Sequence, residues 1–453
     1  MSNLLAAESL VGLKYFSADQ VVSPYVFVFY AAYIVSLAFT PILRSIAIYY
    51  GIVDQPDGLR KMHTKPVAYL GGMAVFLGWL SGLAMSQFLL LHRVEEGMAR
   101  SLVVNFSIIA SACIIILLGL LDDVFRISPW MKIFGQVMAA LCLVLGGGIG
   151  RRAAFIFLEP ILVRCSMYLG FPNITPEQLY QHWILQAVSV VFVVLLVVAC
   201  CNATNLMDGL DGLCGGVTAI VAIGFLFLSV NLAMHSGALN TNQDALRVVL
   251  GLALLGGVLG FVPYNFNPAS IFMGDTGSMF LGFVCALLMI LFASQPQHFK
   301  WFLASLVMFS LPTLDTALAF VRRWVNGRPI FSADRCHFHH QLVARGFSVR
   351  QTVLISYGLS VVFCLLAWAI VFTRTRYALA VYLVVFGSII VAAYKMGMVH
   401  ERLGASKLPS RAVGSLPPQP QVALDEGEKL PVAAYSDRPS AGDSWSHKPA
   451  SVK

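Results

Sequence analysis

Acidic side chains recur at the ends of apolar segments in this chain. Asp122 and Asp123 close one such segment, and Asp275 stands between Gly274 and Gly277 where another begins. Two adjacent carboxylates near lipid repel each other, so a divalent cation or a cationic partner would stabilise them. A solvated helix end explains the pair equally well, and a helix N-cap is the plain structural interpretation of Asp275. The flanking glycines favour instead a close backbone approach to a bound phosphate or metal.

The stretch from Cys201 to Leu213 carries an amide or an acid at every third position. These residues are Asn202, Asn205, Asp208 and Asp211. Neighbours three apart share a helix face, but the direction of the whole set rotates by about half a turn, so one straight helix cannot present all four. Because Gly209 and Gly212 supply a break, we expect the helix end and the loop to curl these groups around a polar ligand. A plain polar turn would explain the glycines but not the register.

Two further groups lie near the C-terminal end of the apolar region. Asp315 lies inside an apolar run, where an ionisable residue is either functional or paired, here with Arg322 two turns onward. The segment from Cys336 to His340 contains three histidines and could be a zinc site. However, structural zinc ligands usually come in two separated pairs, and no second pair follows. Clustered imidazoles beside arginines suit phosphate recognition better.

The composition shows what must position these groups. Hydrophobic residues make up 58% of the 453 residues and charged residues 11%, against about 25% charged in soluble domains. The chain must therefore lie in lipid. Its net charge of +8 is scattered over short loops and a tail without a basic stripe, which argues against a nucleic-acid partner. Nine cysteines, mostly within apolar runs, imply no disulfide framework.

Apolar runs long enough to cross a bilayer, roughly 20 residues each, recur about eleven times. They centre near residues 24–49, 69–91, 103–121, 130–149, 183–201, 214–234, 246–264, 271–293, 300–321, 352–373 and 377–397. The first run is too long for a signal-peptide core and is interpreted as a retained span. The sequence therefore predicts an all-α polytopic membrane protein. Its parts are an N-terminal segment (1–23), a transmembrane catalytic domain (24–399) and a disordered cytoplasmic tail (400–453).

The basic loops predict that the N-terminus is outside and the C-terminus is cytoplasmic. Loop 322–351 is the richest in arginine, whereas loop 150–182, predicted outside, is a mild counter-signal with its own arginines. In this orientation every polar cluster lies on the cytoplasmic side, as one site at the membrane boundary requires. The clusters are Arg60–His63, Asp122–Asp123, Asn202–Asp211, Asn265–Asp275 and Cys336–His340. A transporter should instead place such groups near the midplane or on both sides.

Several motifs follow one another in a recognisable order. They are Asp54-Gln-Pro-Asp-Gly-Leu-Arg-Lys-Met-His63, Leu121-Asp-Asp123, Asn202-Ala-Thr-Asn-Leu-Met-Asp-Gly-Leu-Asp-Gly212, Phe272-Met-Gly-Asp-Thr-Gly-Ser278 and His337-Phe-His-His340. With them the chain resembles the polyprenyl-phosphate N-acetylhexosamine-1-phosphate transferases, glycosyltransferase family 4, over roughly residues 25–395. The segment from Pro329 to Leu342 is similar to the bacterial branch that transfers N-acetylglucosamine phosphate. It differs from the three consecutive histidines of the peptidoglycan branch.

The resemblance implies transfer of a sugar-1-phosphate, N-acetylglucosamine-1-phosphate in this branch, from a UDP-sugar to undecaprenyl phosphate. UMP would be released, and a lipid-linked cell-envelope glycan such as lipopolysaccharide or teichoic acid would be started. The implied cofactor is Mg2+, or Mn2+ in its place, and the site would face the cytoplasm of a bacterial plasma membrane. Another UDP-N-acetylhexosamine or the peptidoglycan precursor stays open as donor, as do a homodimer and, outside enzymes, a transporter or flippase of anionic solutes.

The resemblance also implies roles for individual residues. The catalytic residues would be Asp122, Asp123, Asp208, Asp211, His339 and His340. The substrate-binding residues would be Lys61, His63, Asn202, Asn205, Arg335 and His337. Asp275 and Asn205 would bind the metal. Relatives often carry a third acid three positions after the aspartate pair, where this chain has Arg126, so that acid's role does not transfer and the charge balance of the acceptor site should differ.

Overall fold

The structure is a computed structural model that describes residues 17–55, 66–92, 104–168, 182–235, 242–293, 299–327 and 337–374, with isolated residues from 377 to 391. These residues belong to a compact unit, 1–401, whereas 402–453 form a second unit that lies outside the described residues, so the domain boundaries stay a prediction. The first half of the described chain contains the following elements. They are α1 (Ala18–Val22), a 3-10 turn (Ser23–Tyr25), α2 (Val26–Tyr49), β1 (Val53–Asp54), β2 (Val67–Ala68), α3 (Gly71–His92), α4 (Phe106–Phe125), α5 (Pro129–Leu141) with a π turn (Cys142–Gly146), and α6 (Phe155–Tyr168).

The second half of the described chain is entirely helical. Its elements are α7 (Trp183–Met207), α8 (Leu213–His235), α9 (Asn242–Asn265), α10 (Gly274–Phe292), α11 (Phe299–Met308), α12 (Ser310–Val325), α13 (Phe338–Ala344) and α14 (Val349–Phe372). Helices prevail because lipid offers no hydrogen-bond partner to the backbone, so each spanning segment must satisfy its own peptide groups.

The predicted all-α polytopic membrane fold is confirmed. Within the described residues, nine helices are long and apolar enough to span a membrane, or up to ten if a bent pair counts as one span. The bent pair is α11 and α12, which meet at 71° and replace the straight span predicted over 300–321. The predicted span 377–397 falls mostly outside the described residues. Which end of the molecule faces the cytoplasm stays a prediction.

Helix α10 forms the centre of the bundle. Its side chains are buried from Thr276 to Phe292, as expected for a helix that is apolar all round. Glycines let neighbouring backbones approach it closely: a Cβ at Gly119 of α4 would lie 2.6 Å from the Thr276 nitrogen. That approach places the last turn of α4 beside the first turn of α10, so the acids at these two helix ends come together.

A short hairpin ties the start of α10 to the N-terminal part of the chain. Strand β1 pairs antiparallel with β2, and the Phe272 nitrogen donates to the Ala68 oxygen at 2.8 Å. Two further backbone bonds, from Gly71 and Gly72, reach the Phe272 and Met273 oxygens. The motif before Asp275 is thereby held against the hairpin.

Loop 150–182, which sequence reasoning treated as an outer loop, contains helix α6. Phe157 of this helix packs edge-on against Phe192, Phe299 and Phe302, with ring centroids 5.6 to 5.7 Å apart. The loop interpretation was therefore incomplete, because this segment, although too short to span, forms a helix that packs against its neighbours. Residues 169–181 lie outside the described residues.

Candidate active site

Three aspartates and one lysine meet where α4 ends and α10 begins. The Lys132 Nζ of α5 lies 2.5 Å from the Asp122 Oδ2 and 2.5 Å from the Asp275 Oδ2, so one ammonium bridges two carboxylates. The Lys132 side chain is 20% exposed and that of Asp275 is 31% exposed, which leaves this cluster within reach of solvent. We refer to Asp122, Asp123, Lys132 and Asp275 as the acid cluster.

Asp123 caps the N-terminus of α10. Its carboxylate accepts hydrogen bonds from the Asp275 nitrogen (2.8 Å), the Thr276 nitrogen (3.0 Å) and the Thr276 hydroxyl (2.6 Å). A negative charge is favourable there because the first peptide N–H groups of a helix have no intrahelical partner. These bonds fix the direction of the first turn, and therefore of Asp275.

The glycines around Asp275 serve this packing, and their approach to a phosphate or metal stays a prediction. Gly274 has φ +72°, and a Cβ on it would lie 3.0 Å from the Asp123 carboxyl carbon. Gly277 lies against the Gly72 backbone, where a side chain would clash. Asp275 itself is not the N-cap, since Met273 holds that position without a side-chain hydrogen bond.

The stretch from Asn202 to Asp211 curls as expected, because α7 ends at Met207 and a loop follows. Asn205, in the last turns of α7, donates to the Ser278 hydroxyl of α10 at 3.0 Å. Asp208 is the C-cap. Burial raises the pKa of the Asp208 carboxyl to about 8, and the negative charges of neighbouring carboxylates, Asp275 first, add to the shift. These surroundings therefore disfavour the charged form of the Asp208 carboxyl.

The two outer members of the stretch hold neighbouring segments. Asn202 donates to the Gln136 Oε1 of α5 at 2.8 Å. Asp211 accepts from the Asn267 side chain at 2.9 Å and from the Ala269 nitrogen at 3.0 Å, which fixes the loop before α10. This geometry supports positioning roles for both, and their predicted roles in binding and catalysis stay predictions.

The histidine segment, His337 to His340, lies against the turn that carries Asp208. A Cβ at Gly209 would clash with the His339 Nε2, so the imidazole touches that turn directly. The rings of His339 and His340 have centroids 4.3 Å apart. His337 and His339 are buried, whereas His340 is half-buried. Of the other predicted site residues, Lys61, His63 and Arg335 lie outside the described residues.

A cleft of about 630 Å³ opens beside the acid cluster. Burial and the Asp54 carboxylate, which bonds its hydroxyl, raise the pKa of Tyr69 in this cleft. Arg126 ends α4 in a left-handed conformation, with φ 52°, and also lines the cleft. Its other lining residues are Tyr50, Gly51, Ile52, Val53, Asp54, Gln55, Asp122, Asp123, Val124 and Asp275. The volume is in the range of small-molecule sites, about 300–1,000 Å³.

Sequence reasoning missed Lys132. It is the one cationic side chain between Pro129 and Gly146, a segment apolar enough to span a membrane. An ionisable residue inside a span is a functional candidate by default, and that criterion, which singled out Asp315, would also have found Lys132. Its contact with Asp275 could not have been predicted in the same way, because Asp275 is distant from Lys132 in the sequence.

Comparison with known proteins gives matches over most of the chain. The sequence profile of the family described as Glycosyl transferase family 4 matches residues 105–293. A probable undecaprenyl-phosphate N-acetylglucosaminyl 1-phosphate transferase of Bacillus subtilis is 32% identical over 375 residues, 82% of this chain and 93% of the relative. A decaprenyl-phosphate N-acetylglucosaminephosphotransferase of Mycobacterium tuberculosis is 31% identical over 363 residues, 78% of this chain and 83% of the relative.

A more distant match belongs to another activity. A phospho-N-acetylmuramoyl-pentapeptide-transferase of Desulforudis audaxviator is 28% identical over 352 residues, 75% of this chain and 95% of the relative. The whole acid cluster, from Asp122 to Asp275, falls inside the segment 105–293 that matches the family profile. The matched region therefore contains all four residues of the acid cluster, whereas the histidine segment and Asp315 lie beyond it.

Proposed function

Because the chain belongs to glycosyl transferase family 4, the membrane-embedded polyprenyl-phosphate sugar-1-phosphate transferases, we propose that it transfers N-acetylglucosamine-1-phosphate from UDP-N-acetylglucosamine to a polyprenyl phosphate. A phosphate oxygen of the carrier, undecaprenyl phosphate in the bacterial case, forms a bond to the phosphorus that bears the sugar. The bond from that phosphorus to the bridging oxygen breaks, and this oxygen leaves with UMP. The product is a lipid-linked sugar diphosphate.

The observation that carries the proposal is the lysine bridge in the acid cluster. Lys132 lies between Asp122 and Asp275, beside a cleft large enough for a phosphorylated sugar. A flexible ammonium held by two carboxylates can turn to the diphosphate of the donor, because Lys132 is partly exposed and phosphate oxygens are strong acceptors. The diphosphate of the UDP-sugar would then replace the two carboxylates as the partner of Lys132.

Asp122 and Asp123 have different roles. Asp123 is engaged in capping α10, so it positions Asp275. Asp122 accepts from the Ile127 nitrogen at 3.0 Å and contacts Lys132, so at the cleft it can orient the carrier phosphate through this ammonium, which offsets the repulsion between the two anions. A strong general base is not required, because a phosphate monoester with a second pKa of about 6 is already mostly dianionic at neutral pH.

The donor set suits a hard cation such as Mg2+, which prefers carboxylate oxygens. Burial first, and the neighbouring carboxylates second, raise the pKa of Asp208, and a divalent cation bound nearby would favour the charged form of its carboxyl. We propose that Asp275, with the Asn205 side chain, holds Mg2+, which when bound would neutralise charge on the diphosphate and the leaving UMP. Among the described residues no three His, Cys, Asp or Glu side chains converge on one metal position. The remaining ligands would therefore come from substrate phosphates and water, as is usual for Mg2+.

The donor proposal rests on the histidine segment and on the relatives. This segment reads His-Phe-His-His, and the two relatives named for N-acetylglucosamine transfer match over 82% and 78% of this chain, against 75% and 41% for two pentapeptide transferases. A polar site built around an acetamido sugar discriminates through hydrogen bonds that a wrong donor leaves unpaired. We therefore expect UDP-N-acetylglucosamine to be preferred.

The site is proposed to face the cytoplasm of the bacterial plasma membrane, on the strength of the arginine-rich loop 322–351. Cys165 of α6 is exposed and lies on the opposite side in this orientation. In intact cells a membrane-impermeant maleimide should label Cys165, whereas a cysteine introduced at exposed Ala344 should react only after the membrane is opened. The reverse labelling would invert the orientation.

The purified chain in detergent, given polyprenyl phosphate, Mg2+ and UDP-N-acetylglucosamine, should release UMP in equal amount to a lipid-linked product. Chelation of divalent cations should stop the reaction, and Mg2+ should restore it. Equal use of UDP-N-acetylmuramoyl-pentapeptide, or a preference for UDP-glucose, would defeat the donor assignment but not the transferase. Without UMP release from any donor the transferase proposal fails, and uptake of anionic solutes by proteoliposomes would decide for a transporter.

A further inference from the structure

Asp315 directs both oxygens of its carboxylate at the histidine segment. It lies in α12, just after the 71° bend, and is 6% exposed. The Oδ1 accepts from the Phe338 nitrogen at 2.8 Å. The Oδ2 lies 3.2 Å from the His337 Nδ1 and 3.8 Å from the His339 Nδ1. Of the two roles left open by the sequence, pairing along the helix and a part in the site, this geometry favours the second.

His339 connects Asp315 to the turn that carries Asp208. Its Nδ1 faces Asp315, and its Nε2, on the other side of the ring, faces Gly209 so closely that a Cβ there would clash. Gly209 directly follows Asp208, the C-cap of α7. The buried imidazole is therefore the spacer between α12 and the turn that carries Asp208. The absence of a side chain at Gly209 is what lets the ring fit.

At 3.8 Å the Asp315 carboxylate also favours a proton on the nearer ring nitrogen of His339. An unprotonated Nδ1 would direct a lone pair at the Asp315 oxygen, so the tautomer with a proton on Nδ1 is favoured. The His339 Nε2 then has no proton, and it is buried without a hydrogen-bond partner among the described residues. Burial, with the neighbouring His340, lowers the pKa of His339 to about 3, so the ring stays neutral. A neutral, buried imidazole cannot act as a phosphate-binding cation.

We propose that Asp315 is a positioning residue: through His337 and His339 it holds the histidine segment against the Asp208 turn, where the segment serves the diphosphate of the nucleotide sugar. This inference rests on the proposed function, since it names the part of the donor that the segment serves. It also distinguishes three histidines that look equivalent in the sequence. His337 and His339 lie against the Asp315 carboxylate, whereas half-buried His340 packs on the His339 ring.

A double-mutant cycle tests whether Asp315 acts through His339. Asp315→Asn keeps an oxygen for the Phe338 nitrogen but turns an amide toward the rings, and should lower kcat/KM for UDP-N-acetylglucosamine roughly tenfold. The KM for polyprenyl phosphate should change by less than about twofold. In a His339→Ala background the same substitution should add little further loss. The matched control is Thr316→Val, which removes the next polar side chain of α12 and should leave both constants unchanged.

The identity of the ring nitrogen gives a second test that leaves Asp315 intact. Asn at position 339 offers an N–H near the place of Nδ1, whereas Gln offers one near the place of Nε2. His339→Asn should therefore retain several times more activity than His339→Gln. Equal losses in these two variants, or fully additive losses in the cycle, would overturn the inference while the transferase proposal stands.

Hydrogen exchange provides a readout that does not depend on activity. Asp315→Ala should speed amide exchange in α13 and in the turn 208–212, and Thr316→Val should not. If the wild-type protein released no UMP, the proposed function would fail, but this exchange comparison would still decide whether Asp315 orders the segment. Unchanged exchange in α13 would overturn the positioning role.

Discussion

The two ends of α10 both carry charges inside the bundle, but they are built in opposite ways. At the N-terminal end the acid cluster contains three carboxylates and one lysine, and the Asp275 side chain is 31% exposed. At the other end Arg247 of α9 pairs with Asp244, and these side chains are 1% and 3% exposed. Arg247 also donates to the Leu291 oxygen at 2.8 Å and lies over the Phe292 ring, 5.5 Å from its centroid.

The difference separates a structural ion pair from a functional one. Arg247 and Asp244 balance each other in charge, and the guanidinium joins α9 to the last turn of α10. The acid cluster is unbalanced, borders a cleft and includes a long side chain that can change partners. Enzymes retain such strained groups because substrate or metal supplies the missing charge. Four substitutions would sharpen or break this comparison.

The largest effect is expected at Asp275. Asp275→Asn keeps the shape of the side chain but removes the charge that would hold Mg2+, and should lower kcat by about a thousandfold or more, equivalent to several kcal/mol of lost transition-state stabilisation. The protein should remain folded and inserted, as judged by monodisperse elution and its thermal midpoint. Near-normal turnover at saturating Mg2+ would contradict the assignment.

At the C-terminal end of α10, a substitution should lower the stability of the fold and not the catalytic rate. Arg247→Met fills similar space but leaves Asp244 buried without its partner, which typically costs about 3–5 kcal/mol. The thermal midpoint in detergent should drop markedly, while kcat of the protein that remains folded stays close to wild type. Adding Asp244→Asn should recover part of the loss. If Arg247→Met instead lowered kcat at an unchanged midpoint, the contrast between the two ends would be wrong.

Lys132→Gln should lower activity strongly and stability only a little, the reverse of Arg247→Met. It removes the ammonium that bridges Asp122 and Asp275 and that would bind the diphosphate, so kcat/KM for UDP-N-acetylglucosamine should fall by about a hundredfold. The thermal midpoint should fall less than in Arg247→Met, because the cluster is partly solvated and water can replace some of the lost contact. A stability loss as large as that of Arg247→Met, with activity retained, would make Lys132 structural.

The sequence predicted the spans and the convergence of the motifs, because both depend on local signals. A long apolar run must become a helix in lipid, and polar motifs at the ends of such runs must lie at a membrane boundary. The curl after Met207 followed from Gly209 and Gly212 in the same way. The boundaries of most spans were predicted to within a few residues, as for α3 and α8, whereas α7 continues six residues beyond its predicted end.

What the sequence could not supply is the pairing of distant residues. The cap that Asp123 forms on α10, and the bridge from Lys132 to Asp275, depend on close helix packing around Gly119 and the hairpin. The bend between α11 and α12 likewise decides that Asp315 meets the histidine segment. No local pattern encodes such contacts, since they arise only after the helices pack.

The smallest effect is expected at Arg126, where the family resemblance led us to expect an acid. Its left-handed backbone brings it to the cleft beside Asp122, but the side chain is exposed, so solvent and salt weaken its interactions. If the carrier phosphate enters through this cleft, Arg126→Gln should raise the KM for polyprenyl phosphate by about threefold, with the KM for UDP-N-acetylglucosamine unchanged. The effect should grow at low ionic strength, and Arg126→Asp should exceed it because a carboxylate would repel the phosphate.

Arg164→Gln, which removes an exposed arginine of α6, is the matched control for net charge. If the Arg126 and Arg164 variants behaved alike, the cleft would not be the entry of the acceptor, and the unbalanced charge of the acid cluster would serve the donor alone.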